Sequence, residues 1–88
     1  MIAHIIYTGQ VQGVGFRYTA QNIARQHGIK GWVKNLPGGP VEVYADGTQR
    51  KLDEFCAELE DFFRDNISDK QISYIDEKSQ FGDFRIGY

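Results

Sequence analysis

Two stretches of the chain carry hydrophobic residues at the spacing of an amphipathic helix. The first begins at Phe16 and reaches a C-terminal stop at His27-Gly28. The second is longer and clearer, and either Asp46 or Thr48 stands where it would cap the preceding turn. The apolar positions are Phe16, Ala20, Ile23 and Ala24 in the first stretch and Leu52, Phe55, Cys56, Leu59, Phe62 and Phe63 in the second. These patterns predict two helices.

Five other stretches are rich in β-branched and aromatic residues or alternate between apolar and polar positions, which predicts strands. They are Met1–Thr8, Ile29–Asn35, Val41–Ala45, Gln71–Glu77 and Phe84–Tyr88. The second and third are joined by Leu-Pro-Gly-Gly-Pro, a composition typical of a hairpin turn, and a polar turn separates the last two.

The predicted order is β-α-β-β-α-β with one further short strand. It favours an α+β fold of the ferredoxin-like type, in which two helices cover one face of a mostly antiparallel sheet of four to five strands. With 88 residues and no internal repeat, the chain is expected to form a single domain over residues 1–88.

The amino-acid composition argues against several classes of function. The 10 basic and 12 acidic residues give a formal charge of −2, which argues against a broad basic surface for nucleic acid or anionic lipid. The single Cys56 cannot form an intramolecular disulfide, and no run approaches the roughly 18 apolar residues of a membrane span. We therefore expect a soluble, cytoplasmic monomer whose anion site, where it has one, is local.

One segment has the character of such an anion site. Residues 9–17 (GQVQGVGFR) form a glycine-rich loop that runs directly into the first predicted helix. Backbone N–H groups of such a loop can converge on a phosphate, and a helix start adds unsatisfied donors and a partial positive charge. Arg17 stands at this start, where its planar guanidinium matches two phosphate oxygens. On these grounds alone, a small anion site and a simple tight-turn loop with a solvated Arg17 remain equally supported.

The better-known phosphate motifs do not fit this loop. A P-loop requires Gly-Lys followed by Ser or Thr, which the chain lacks. A dinucleotide fingerprint fails as well, because Tyr18 stands where the third glycine would be required.

Two motifs resemble the signatures of one family. The run Gly9–Arg17 closely resembles the signature loop of the acylphosphatases, and Gly31–Asn35 (GWVKN) resembles their second signature at about the expected separation. The resemblance extends to the order of elements, to the Asp46-Gly47 turn and to the C-terminal stretch. The family's usual loop has a basic residue where Gln10 stands, and its hairpin more commonly has an acidic-glycine turn.

The resemblance implies a hydrolase that cleaves acyl phosphates into a carboxylate and inorganic phosphate. It implies Arg17 as the phosphate-binding residue and Asn35 as the residue that orients the attacking water. The substrate-binding residues it implies are Gln12, Gly13, Val14, Gly15, Phe16 and Arg17. It also implies no metal and no cofactor, a small-molecule acyl phosphate as partner, and inorganic phosphate as product and inhibitor. Asn35 would reach the loop if the first two strands were neighbours in the sheet.

Three other residues are expected to be structural. His4 in a strand and His27 at a helix end have no carboxylate motif nearby, and Cys56 lies on the apolar face of the second helix. Two other functions stay open. One is a module specific for carbamoyl phosphate, as in related maturation factors. The other is a non-catalytic ferredoxin-like binding module for RNA, which Lys30–Val33 faintly resembles but the acidic balance disfavours.

Overall fold

The computed structural model describes residues 1–77 and 80–87 and has the predicted order of elements. The elements are β1 (Ile2–Gly9), α1 (Phe16–Gln26), β2 (Lys30–Asn35), β3 (Val41–Asp46), α2 (Gln49–Phe62), β4 (Ile67–Ile75) and β5 (Phe84–Ile86). Thr48 caps α2 by accepting a hydrogen bond from the backbone of Lys51, which decides between the two predicted caps. Tyr88, the predicted end of the last strand, lies outside the described residues.

The strands form one sheet in the order β4-β1-β3-β2-β5. β1 is antiparallel to both β3 and β4, β3 is antiparallel to β2, and β5 runs parallel to β2. The ferredoxin-like α+β fold is thereby confirmed. The assumption that the first two strands are neighbours is wrong, because β3 lies between them: a βαβ unit of this kind leaves space for a strand that pairs with both.

Alternation along the three central strands directs one set of side chains toward the helices. Ala3, Ile5 and Tyr7 of β1 are fully buried, and so are alternate residues of β2 and β3. The apolar stripes of both helices complete this core, as the periodicity of the sequence predicts, except at Phe62. Phe62 was predicted to belong to the stripe of α2 but is 67% exposed, because it is the last residue of the helix and faces away from the sheet-side stripe. The opposite face of the sheet carries partly exposed residues such as His4, Trp32 and Tyr44.

The predicted bounds of one strand are wrong by several residues. β4 begins at Ile67 and ends at Ile75, whereas the pattern predicted Gln71–Glu77. β4 is an edge strand, and none of its residues is fully buried. Its hydrogen bonds to β1 therefore form without the apolar alternation from which a strand is recognised.

A polar cluster ties β1 to α2 and β4 just before the glycine-rich loop. The Glu60 carboxylate accepts a hydrogen bond from the Tyr7 hydroxyl at 2.8 Å and pairs with the Lys70 ammonium at 2.6 Å. Burial raises the pKa of the Tyr7 hydroxyl far above its ordinary value, and neighbouring Cys56 and Glu60 act in the same direction. Partial burial alone would lower the pKa of Lys70, but its hydrogen bond to Glu60 raises it.

Candidate functional site

The glycine-rich loop leaves β1 through a backbone irregularity at Gly9. The pairing of β1 with β4 shifts register between Thr8 and Gly9, and Gly9 has a φ of 132°. A Cβ at this position would lie 2.2 Å from the backbone oxygen of Asn66, so only glycine fits. Asn66 holds the next residue from both sides: its carbonyl accepts from the Gln10 N–H at 2.9 Å, and its amide donates to the Gln10 carbonyl at 3.1 Å. The entry to the loop is therefore rigidly fixed.

The loop ends at the start of α1, where the helix is open to an anion. Gly15 is the N-terminal cap, with a left-handed φ of 81°, and it provides no side-chain cap. Its carbonyl accepts the first helical hydrogen bond from Thr19 at 3.0 Å, and the first turn contains no acidic residue. The N–H groups of this first turn have no intrahelical acceptor, which makes the helix start attractive to negative charge.

A cavity of about 180 Å³ lies where this helix start faces the end of β2. The residues that line it are Val11, Gly13, Gly15, Phe16, Arg17, Tyr18, Asn35 and Ile86. Arg17 of α1 and Asn35 at the end of β2 thus line one cavity, although β3 lies between β1 and β2 in the sheet. The volume suits a small anion together with a water molecule.

Arg17 reaches across the cavity toward the C-terminal strand. Its guanidinium Nη1 donates to the carbonyl of Gly87 at 3.5 Å, and the N–H of Gly87 donates in turn to the Val33 carbonyl at 2.8 Å. The side chain is only partly buried. A guanidinium is a planar group with five N–H donors, and this contact orients it at the wall of the cavity.

Asn35 is the last residue of β2, and its side chain carries a notable polar atom. Its Oδ1 is buried and accepts no hydrogen bond from the described part of the chain. A buried amide oxygen without a partner is costly. It therefore marks a position where a hydrogen-bond donor from solvent or ligand would be stabilised.

The remaining predicted site residues divide into two groups. Gly13, Gly15 and Phe16 line the cavity, although the Phe16 ring itself is buried in the core at 1% exposure. Val14 is exposed, and the Gln12 amide donates to two carbonyls of the hairpin turn. Neither of these two side chains belongs to the lining.

Three lining residues were missed from the sequence: Val11, Tyr18 and Ile86. Tyr18 had a usable signal, since an aromatic residue directly after Arg17 falls off the apolar stripe of α1, and its side chain is 67% exposed. Ile86 had none, because its approach depends on the parallel pairing of β5 with β2.

The expectation that neither histidine has a carboxylate nearby is wrong. His4 Nε2 lies 2.8 Å from the Glu42 carboxylate, its cross-strand diagonal neighbour on β3, and His27 Nε2 lies 2.8 Å from Glu58 of α2. Pairing across strands and helices brings together residues that are distant in sequence. Cys56 is buried as expected, and burial raises the pKa of its thiol. Within residues 1–77 and 80–87, no cluster of three or more His, Cys, Asp or Glu side chains could hold a metal ion.

Neither described helix is long and apolar enough to cross a membrane.

Comparison with known proteins identifies the family. The sequence model of the acylphosphatases matches residues 3–86. The chain is 39% identical to the acylphosphatase of Bacillus pumilus over 84 residues, which cover 94% of this chain and 93% of that protein. It is 57% identical to the acylphosphatase of Archaeoglobus fulgidus over 58 residues, an alignment that spans just under two thirds, 65%, of either chain.

Solved structures agree with this result. The crystal structure of acylphosphatase from Bacillus subtilis superposes with a TM-score of 0.88 at 32% identity, covering 100% of both chains. Full-length HypF, solved in a phosphate- and nucleotide-bound form, superposes with a TM-score of 0.81 at 30% identity, but the match covers only 12% of that much longer chain. The family match, the extended identity and the shared fold concur: this chain belongs to the acylphosphatase family.

Proposed function

We propose that this protein hydrolyses acyl phosphates to a carboxylate and inorganic phosphate. The observation that carries the proposal is the single cavity that Arg17 and the start of α1 share with Asn35. This cavity combines cationic and N–H donors for a phosphoryl group with an amide oxygen for a water molecule.

The loop side of the cavity would bind the phosphoryl group. The open first turn of α1 and the amides of the glycine-rich loop offer N–H donors, and Arg17 adds a charge that matches two phosphate oxygens. Because these donors are held by backbone geometry, they need little reorganisation when negative charge accumulates in the transition state.

The hairpin side would hold the nucleophile. The buried Oδ1 of Asn35 accepts a hydrogen bond from water and aims the water oxygen at phosphorus. As the new P–O bond forms, the bond from phosphorus to the acyl oxygen breaks, and its electron pair leaves on the carboxylate. The water proton passes to a phosphoryl oxygen of the substrate.

This scheme requires no general acid from the protein. The leaving carboxylate has a pKa of about 4 to 5, so it departs as a stable anion at neutral pH. Of the described residues that line the cavity, none carries a carboxylate, which agrees with a reaction driven by positioning and electrostatics.

The direct test is turnover of acetyl phosphate and benzoyl phosphate after treatment with a chelator. We expect hydrolysis without added metal and competitive inhibition by inorganic phosphate. Absence of turnover in the chelated sample, with activity restored by a divalent cation, would contradict the metal-independent scheme. An RNA oligomer titrated at physiological salt is the companion experiment. Tight, salt-sensitive binding without turnover would favour the binding-module alternative.

A second candidate keeps the reaction and restricts the substrate to carbamoyl phosphate. We consider this candidate because the chain resembles a part of HypF that makes up 12% of that protein. The likeness shows that the same fold also occurs as one module of a larger protein. Rates measured side by side on acetyl, benzoyl and carbamoyl phosphate separate the two candidates. A general acylphosphatase turns over all three, whereas a carbamoyl-specific module discriminates strongly against the first two.

A further inference from the structure

The two halves of the cavity come from strands that do not pair directly with each other. The loop follows β1 and the Asn35 side chain ends β2, but β3 separates these strands in the sheet. The sheet places Asn35 relative to the end of β1, since Val41 of β3 is the register partner of both Tyr7 and Asn35. The loop that follows β1 lies outside the sheet, so its distance from Asn35 depends also on direct contacts between the loop and the hairpin.

The side chain of Gln12 makes that contact. Its Nε2 donates to the Leu36 carbonyl at 2.8 Å and to the Pro40 carbonyl at 3.0 Å, and the side chain is partly buried. In residues 1–77 and 80–87, both hydrogen bonds that join loop 10–15 to turn 36–40 come from this one amide. Both of its N–H donors are used at good distances.

The two carbonyls flank the position of Asn35. Leu36 directly follows Asn35, and Pro40 directly precedes Val41, which is the cross-strand partner of Asn35. The turn is closed on itself, because the Leu36 N–H donates to the Pro40 carbonyl at 2.8 Å. The two hydrogen bonds from Gln12 to these carbonyls therefore hold the base of the hairpin, including the Asn35 backbone, as one unit.

We propose that Gln12 is a positioning residue that holds Asn35 at its working distance from the phosphate-binding loop. This inference rests on the proposed hydrolase function. Gln12 acts through Asn35 and does not touch the substrate with its side chain. Its loss should therefore misplace the attacking water and lower kcat, while the loop amides and Arg17 still bind phosphate.

The test compares Gln12→Met with Gln21→Met. Methionine keeps the length of the side chain but has no N–H donor. Gln21 is the matched control, since its Nε2 donates to the Phe84 carbonyl at 3.2 Å, in a partly buried setting on α1 away from the hairpin. We expect Gln12→Met to lower kcat about tenfold, with less than a threefold change in KM and in inhibition by phosphate. The control should stay within twofold of the wild type. An equal kcat in both variants overturns the inference.

A double-mutant cycle shows whether Gln12 acts through Asn35. In an Asn35→Ala background, Gln12→Met should change kcat by less than twofold, because no Asn35 amide remains to be misplaced. A full tenfold loss in that background would overturn the proposal. Gln12→Glu, which keeps a polar side chain but presents only acceptors to the two carbonyls, serves if the methionine variant does not fold. If neither variant folds, Gln12 has a role in stability and the inference is wrong.

One measurement keeps the inference testable if the enzyme proves inactive. The side-chain amide of Asn35 gives a ¹H–¹⁵N resonance that reports its surroundings. It should shift in Gln12→Met and not in Gln21→Met. An unshifted resonance in the first variant rejects the positioning role, whereas a shift in a protein without turnover rejects only the hydrolase function.

Discussion

The loop side and the hairpin side of the cavity are built in different ways. On the loop side, the geometry comes from backbone conformation: Gly9 permits a close passage past Asn66, and Gly15 begins α1 without a side-chain cap on the N–H groups of its first turn. On the hairpin side, the proposed chemistry rests on one side chain at a strand end, and its approach depends on contacts between distant segments. The first half is a local structure and the second is a product of the whole fold.

This difference suggests a division of labour. A rigid cradle of N–H donors and a cation binds charge in the ground state and still better in the transition state. A single amide that aims a water contributes only during attack. Substitutions on the loop side should therefore affect binding and rate together, and those on the hairpin side should affect rate alone.

The largest effect is expected for Arg17→Ala. Removing the only cation that lines the cavity among the described residues should reduce kcat/KM by about 10³-fold and weaken phosphate inhibition as well. Arg17→Lys should recover only part of the loss, because an ammonium cannot contact two phosphate oxygens in the planar geometry of a guanidinium. Steady-state kinetics on benzoyl phosphate provide both numbers. If Arg17→Ala lowered kcat but left phosphate inhibition unchanged, the loop side would affect the rate alone. The two sides of the cavity would then not differ in function.

Asn35→Ala should give the next largest effect, and this effect should be limited to kcat. We expect kcat to fall about 10²-fold with KM and phosphate inhibition within threefold of the wild type, since only the water loses its acceptor. Asn35→Asp is the informative companion, because it keeps an acceptor but adds a negative charge facing the phosphoryl group. It should bind phosphate less tightly than Asn35→Ala does. Full activity of Asn35→Ala would exclude the water-placing role.

The same contrast explains what the sequence could and could not predict. The helices and central strands were found because their buried faces repeat regularly, and the glycines before Arg17 predicted a loop that runs into a helix start, where an anion site was one of two interpretations. Asn35 had no such local signal, and its role came from resemblance. Its route to the cavity was misjudged, because strand order is a non-local property that alternation does not encode. The start of β4 at Ile67 was missed because an edge strand buries too little to alternate.

A glycine pair tests how rigid the loop side is. Gly9→Ala should destabilise the fold by about 2–3 kcal/mol, because the new Cβ meets backbone atoms of Asn66 and Ser68 in addition to the strain of a positive φ. Gly15→Ala carries the same kind of strain at φ 81°, but nothing lies within 4 Å of its Cβ, so about 1–2 kcal/mol is expected. Urea denaturation of both variants gives the comparison. Equal losses would show that close packing at Asn66 does not hold the loop.

The smallest effect concerns the support beneath the loop and depends on pH. Tyr7 lies two residues before Gly9, and burial raises the pKa of its hydroxyl above the ordinary value of 10.0. Below about pH 10 both the folded and the unfolded chain keep this proton. Above it the unfolded chain loses the proton and the folded chain retains it, so the free energy of unfolding falls by about 1.4 kcal/mol per pH unit. Tyr7→Phe should remove this share of the slope, while the raised pKa values of Cys56 and Lys70 keep a smaller alkaline slope in the variant.

Urea denaturation between pH 9 and 11 measures this slope directly. Tyr74→Phe is the matched control, because its ring is 47% exposed at the sheet edge, and it should retain the wild-type slope. At neutral pH Tyr7→Phe should cost about 1 kcal/mol through the lost hydrogen bond to Glu60, while phosphate inhibition stays unchanged. An identical alkaline slope in the wild type and Tyr7→Phe would mean that the Tyr7 hydroxyl ionises as readily in the folded chain as in the unfolded one. In that event the end of β1 around Tyr7 would be accessible to solvent, and it would not be the rigid support of the loop side.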